Sequence, residues 1–186
     1  MQYTLNTPLT KDKLRNLKAG DYVCLSGTIY SARDAAHLRM HQALAESEAL
    51  PIPLSDAAIY YMGPTPARDS HPLGSAGPTT SSRMDKYTPE LLDLGVSAVI
   101  GKGRRADYIT DSLVKNHGVY FAAVGGAGAL LSQCITESNV IAYEDLGTEA
   151  VRQLTVKDFP MVVIIDSSGN NLYDEVYSKI PPELLE

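Results

Sequence analysis

Cysteine is scarce in this chain of 186 residues, occurring only as Cys24 and Cys134. Two thiols so far apart in sequence match no metal-ligand spacing. A disulfide is not favoured in a chain of cytosolic type, so both are expected to be buried and inert. Long apolar runs are missing as well. None reaches the roughly 18 residues that cross a bilayer, and Met1 to Thr10 lacks the basic-then-apolar pattern of a secretory signal. A cytoplasmic protein without membrane contact is expected. Positive charge is in deficit, since 16 Lys and Arg stand against 22 Asp and Glu for a net charge of −6. That balance argues against a nucleic-acid partner. Internal repeats, coiled-coil heptads and low-complexity tracts are absent. The length allows one well-buried core and not two large ones.

What is present alternates between strand and helix signals. Residues 1–20 read as a lead-in, with Thr10 opening a short helical turn through Leu17. Tyr22 to Tyr30 is rich in β-branched and aromatic residues and reads as a strand. Ser31 is placed to cap a following helix, with Asp34 three residues on. In that helix Ala36, Met40, Ala43 and Leu44 share one apolar stripe. Ile59 to Met62 is a short strand. The segment Gly63 to Pro78 holds four prolines and three glycines, too many for regular structure, and predicts a long functional loop. Thr88-Pro89-Glu90 reads as a helix start with a Thr cap. Val96 to Ile100, Val119 to Val124, Val140 to Tyr143 and Met161 to Ile165 read as strands. Helices are predicted at Asp107 to Asn116 and around Thr148 to Leu154, and a turn at Asn170-Asn171. Such alternation predicts an α/β fold with some parallel strands.

Three constellations could carry chemistry. In Gly74-Ser-Ala-Gly-Pro-Thr-Thr-Ser-Ser-Arg-Met-Asp85, a helical turn beginning at Pro78 or Thr79 would aim free N–H groups, hydroxyls and Arg83 at an anion. The alternative is a capped, solvated loop. In Ser31-Ala-Arg-Asp-Ala-Ala-His37, Arg33 and Asp34 stand where a strand passes into a helix, a common ligand position in open α/β sheets. The plainer reading is a surface ion pair with solvated histidines. His37 and His41 have zinc-helix spacing, but the Glu of a His-Glu-x-x-His motif is replaced by Leu38. In Gly101-Lys-Gly-Arg-Arg105, the flanking glycines let Lys102 reach into a pocket, although exposed basic loops are common. Gly125-Gly-Ala-Gly128 reads as tight helix–sheet packing more than as a phosphate loop.

Taken together, Gly27-Thr-Ile-Tyr-Ser-Ala-Arg-Asp-Ala-Ala-His37, Tyr61-Met-Gly-Pro64, Gly77-Pro-Thr-Thr-Ser-Ser-Arg-Met-Asp85, Gly101-Lys-Gly103 and Ala142-Tyr-Glu-Asp-Leu-Gly147 resemble the β subunits of class I fumarases and tartrate dehydratases, in the same order along the chain. The resemblance implies a single swivelling β/β/α domain with a mixed sheet. It also implies a 4Fe-4S cluster held by three cysteines of a partner α subunit, with an open iron that binds the substrate hydroxyl. Two cysteines cannot supply the thiolates of such a cluster, so this chain is expected to hold no metal itself and to work in a hetero-oligomer.

By the same resemblance Arg33 and Arg83 bind the carboxylates of a dicarboxylate substrate, and Lys102 adds a third positive group. Thr79 corresponds to the base that removes the proton beside a carboxylate. A lone Thr hydroxyl is a poor base and needs polarisation by nearby cations. Asp34 and Asp85 are expected to orient the adjacent arginines, with His37 supporting from behind. Fumarate and malate are the favoured substrate pair, and L(+)-tartrate is the alternative. Outside this family the competing readings are a stand-alone module binding a small carboxylate, and a structural subunit whose basic residues serve an interface.

Overall fold

The computed structural model describes residues 1–67, 71–124 and 126–180. The chain begins with β1 (Gln2–Asn6), α1 (Lys11–Leu14), β2 (Tyr22–Ser31), α2 (Asp34–Ala45) and β3 (Ala58–Tyr60). A 3-10 turn at Ser81–Met84 leads to α3 (Thr88–Asp93), β4 (Ala98–Gly101), α4 (Asp107–Asn116) and β5 (Val119–Ala122). Then come α5 (Gly128–Gln133), β6 (Ile135–Ala142), a 3-10 turn at Glu144–Glu149, β7 (Val151–Ile165) and α6 (Leu172–Tyr177). The result is a small α/β domain on one mixed sheet.

The strand order is β1-β2-β3-β4-β5-β7-β6. β1 to β5 pair in parallel. β7 runs antiparallel to β5 and β6, and it also pairs antiparallel with β2 from Tyr22↔Val162 to Ser31↔Arg152. Because β7 bonds both β2 and β5, the ladder β2-β3-β4-β5-β7 closes on itself.

Closure gives the sheet two buried faces. Tyr60, Ile100, Phe121, Leu154 and Phe159 pack on one face. Ile59, Tyr61, Val99 and Tyr120, their neighbours in sequence, pack on the other against Met40 of α2, Leu91 of α3 and Leu113 of α4. Successive side chains of a strand point to opposite faces, so strands covered on both sides read as unbroken apolar runs. In α2, Ala36, Met40 and Ala43 of the expected stripe are buried, and His37 joins them.

Several expectations need correction. Residues 148–154 do not form a helix: the chain turns through Glu144–Glu149 and enters β7 at Val151. Val151 and Leu154 have helix-like spacing, yet residues three apart on a strand face opposite ways, and these two enter different cores. Met161 to Ile165 is only the end of β7, and Val140 lies near the end of a β6 that begins at Ile135. The lead-in contains β1, which extends the sheet beside β2. Ser31 does not cap α2: β2 continues through it, and Arg33 takes the N-cap position without a side-chain bond. Thr88 is not a cap either. It is the first residue of α3, and its hydroxyl donates to the Met84 carbonyl at 2.9 Å. Within Gly63 to Pro78 the chain is tied by bridges Met62↔Pro78 and Thr65↔Ser75; residues 68–70 of that loop, and Gly125 of the glycine cluster, lie outside the described residues. Gly128 packs against Gly77, whose N would lie 2.9 Å from an added Cβ, in keeping with a packing role.

Candidate functional site

β2, β3 and β4 all run out toward one edge, and the chain lays a short extra segment beyond them. Tyr61, just past β3, donates its N–H to Ile100 O at 2.8 Å and accepts the N–H of Thr79 at 2.7 Å. Ser81 N–H then donates to Lys102 O at 2.9 Å, and Thr80 bridges Lys102 in parallel register. Lys102 N–H returns a bond of 3.0 Å to Ser81 Oγ. Thr79 and Thr80 are thereby fixed beside Lys102 at the carboxyl ends of parallel strands, where such sheets commonly bind ligands. Gly101 is required there: a Cβ would collide with Ser81 Oγ and stand 3.0 Å from the Tyr61 ring.

Arg83 projects from the 3-10 turn that this segment begins, and Asp34 connects it to Arg33. The Asp34 carboxylate lies 3.6 Å from Arg83 Nε and 3.7 Å from Arg33 Nε. Arg33 also faces Glu149, with Nη2 3.7 Å from Oε1. Neither Arg33 Nε nor Asp34 Oδ2 has a hydrogen-bond partner. The Arg33 side chain is 22% exposed and that of Arg83 is 55% exposed, so the guanidiniums keep donors for a ligand. Arg33 lies over Gly63, where a Cβ would come within 2.6 Å of Nη1 and 2.9 Å of Cδ. Asp34, then, holds both arginines, whereas the expectation gave it one.

A second, buried layer lies behind. Asp85 does not touch Arg83: it takes Arg105 Nε at 2.5 Å and Ala106 N–H at 2.8 Å. Arg105, read from sequence as part of a basic loop, has a fully buried side chain. His37 is buried too, with Nδ1 2.9 Å from the Arg33 carbonyl. Since that carbonyl can only accept, Nδ1 carries the proton, and Nε2 is left with no partner. Burial pushes the imidazole down to about 4, helped by the Arg105 charge and opposed by the Arg33 bond and Asp34. His37 is therefore neutral at pH 7. His41, which stands at zinc-helix spacing from it, pairs instead with Glu90 at 2.8 Å.

The expectation of a helix N-terminus aimed at an anion is overturned. The 3-10 turn begins only at Ser81, and the N–H groups of Thr79 and Ser81 are used within the sheet extension. Three contributors escaped the sequence reading: Glu149, which accepts the Ala35 N–H at 2.9 Å in the first turn of α2, and Tyr120 and Arg105. The buried hydroxyl of Ser81 was visible in the Thr-Thr-Ser-Ser run. Glu149 and Tyr120 come from distant segments with no local signal, and Arg105 was read only as part of an exposed basic loop.

Among the described residues no group of three His, Cys, Asp or Glu side chains is placed to hold a metal ion. Cys24 and Cys134 are free and half-buried, and Cys24 sits toward the opposite end of β2 from Ser31. The described residues do not fit the ligand set of an iron–sulfur cluster. No helix among the described residues is long and apolar enough to cross a membrane.

The molecule is an α/β domain whose mixed sheet carries Thr79, Thr80 and Lys102 at the carboxyl ends of its parallel strands, with Arg33 and Arg83 paired through Asp34. The family model described as Fumarase C-terminus matches residues 1–176, and the chain belongs to that family. It is 41% identical to a Methanocaldococcus jannaschii protein named "Putative L(+)-tartrate dehydratase subunit beta", covering 100% of this chain and 98% of that one. It is 34% identical to the aerobic class I fumarate hydratase of Salmonella typhimurium and 35% identical to the anaerobic class I enzyme of Escherichia coli. Those matches cover 94% of this chain but 31% and 33% of the two enzymes. The chain thus spans about a third of the fumarate hydratases and nearly all of the separate β subunit.

Proposed function

We propose that this chain is the β subunit of a 4Fe-4S-dependent hydro-lyase that interconverts fumarate and (S)-malate in the cytoplasm. Residues 1–186 act as one swivelling β/β/α domain that closes over a partner α subunit, and the cluster belongs to three cysteines of that partner. The observation that carries the reading is the sharing of Asp34 between Arg33 and Arg83, with Thr79 and Thr80, just before Arg83 in the chain, tied to Tyr61 and Lys102. A dianion needs cations that are held and yet not fully used, and this arrangement supplies them.

Each residue then has a task that the chemistry dictates. Arg33 and Arg83 grip substrate carboxylates, and a guanidinium can present two parallel N–H groups to each. Thr79 Oγ takes the proton from the carbon beside one carboxylate. As that C–H bond breaks, negative charge builds on the adjacent carboxylate, where Arg83 and Lys102 stabilise it. The same cations favour the ionised form of Thr79, which a hydroxyl base requires. Asp34 keeps the two arginines at a fixed spacing, and His37 anchors the Arg33 peptide.

L(+)-tartrate is the second substrate reading, favoured by the near full-length match to a chain named as a tartrate dehydratase β subunit. Anaerobic co-expression with an α subunit carrying three cluster cysteines, followed by assay with malate and with tartrate, tests both. Turnover of malate supports the first reading and turnover of tartrate alone the second. Tight, saturable malate binding by the isolated chain, with no turnover in any complex, would favour a stand-alone binding module.

A further inference from the structure

Arg105 is the buried cation that the proposed chemistry leaves without a task. Its side chain is 0% exposed, and it is enclosed by groups that each lead to the site. Nε bonds Asp85 at 2.5 Å, two residues beyond Arg83. Nη2 donates to Thr88 Oγ1 at 2.8 Å. That hydroxyl in turn bonds the Met84 carbonyl at 2.9 Å and lies 3.0 Å from Tyr61 OH. The guanidinium carbon stands 5.4 Å from the centre of the Tyr61 ring and 5.1 Å from that of Tyr120. Tyr61 O accepts the Thr79 N–H at 2.7 Å. Tyr120 OH donates to Gly103 O at 2.8 Å and lies 3.0 Å from Ser81 Oγ, the acceptor of Lys102 N–H.

We infer that Arg105 is a positioning residue: one guanidinium, held between Tyr61 and Tyr120 and clipped to Asp85 and Thr88, sets Thr79, Arg83 and Lys102 relative to one another. Three segments from different parts of the chain meet at this single planar group. Its fork bonds one of them twice, at Asp85 and Thr88, and its faces hold the other two through the tyrosines by cation–π contact. A lysine could keep the charge beside Asp85 but could not fill the fork or stack in the slot. An apolar replacement would strand the Asp85 carboxylate in the interior, a strongly destabilising change. The catalytic meaning of the inference rests on the dicarboxylate reading; the pinning itself does not.

The test is hydrogen exchange of the isolated chain carrying Arg105→Lys, with Thr88→Val as a second variant that removes one hydroxyl and keeps every charge. Exchange at the amides of Thr79, Ser81 and Lys102 is expected to rise about 10-fold or more, while amides of β7 such as Leu154 and Val156 keep their wild-type protection. Unchanged exchange at the three site amides, or an equal rise throughout β7, would overturn the inference. In the assembled enzyme the same variants are expected to lower kcat by about 10-fold or more at full assembly. Normal kcat and KM per assembled enzyme, despite loosened site amides, would reduce Arg105 to a structural residue. A wild-type complex inactive on both dicarboxylates would sink the substrate reading, and the exchange result would still decide the pinning.

Discussion

Gly63 lies beneath the Arg33 side chain, and the space it leaves open is what lets the guanidinium reach Asp34 and Glu149. Gly63→Ala should therefore displace Arg33 while leaving both sheet faces untouched. The loss of one charge-assisted contact, about 1.5–3 kcal/mol, should appear as a 10- to 100-fold rise in KM with a nearly unchanged melting temperature. A normal KM would mean that Arg33 does not bind substrate. Thr79 can be separated from its surroundings in the same way. Thr79→Ser keeps a hydroxyl and should retain most turnover, whereas Thr79→Val should lose about 100-fold or more. Equal activities would remove Thr79 as the base. At this level the sequence was informative wherever neighbours in the chain are neighbours in space. Arg33 with Asp34, and Thr79 through Arg83, were legible because each group sits on one short segment. Glu149 was not, because it meets Ala35 across 114 residues. Arg105 was hidden by composition, since a buried arginine and an exposed one look alike beside glycine and lysine.

Helix α2 ties its first turn to the site through His37, whose ring is buried and uncharged. Its folded value of about 4 lies well below the ordinary value near 6.5. The unfolded chain thus binds the extra proton first as pH falls. Stability from this group is complete above about pH 6.5 and is lost as pH drops toward 4, by about 3 kcal/mol in the limit. Denaturant titrations at pH 7 and pH 4.5 should show a shallower loss for His37→Phe than for wild type, and identical slopes would contradict a neutral buried imidazole. Among the strands, those with apolar runs flanked by glycine or proline were legible in outline: β2, β3, β4 and β5 fall within a few residues of expectation. β7 was not legible over its first half. Its opening Val-Arg-Gln-Leu spacing fits a helix stripe equally well, and only pairing along the whole of β2 selects the strand.

As a whole the molecule presents charged groups at one edge of the sheet, with Arg83 and Lys102 exposed among the described residues. The isolated chain should turn over neither malate nor tartrate. Activity should arise on anaerobic mixing with a partner bearing three cluster cysteines, and detectable turnover by the chain alone would contradict the division of labour. The α/β class was legible from alternating apolar runs and turn residues. Closure of the sheet was not, since it depends on β7 bonding two strands remote from it in sequence.

Everything functional here depends on Arg83 meeting substrate and not merely a neighbouring subunit. Turnover per assembled complex should be measured for Arg83→Ala beside Lys86→Ala, a surface cation that lies over the Tyr87 ring. Arg83→Ala should assemble fully and turn over about 100-fold more slowly or worse, while Lys86→Ala behaves as wild type. An Arg83→Ala chain that assembles poorly, yet shows normal turnover in each complex that forms, would make these cations interface residues.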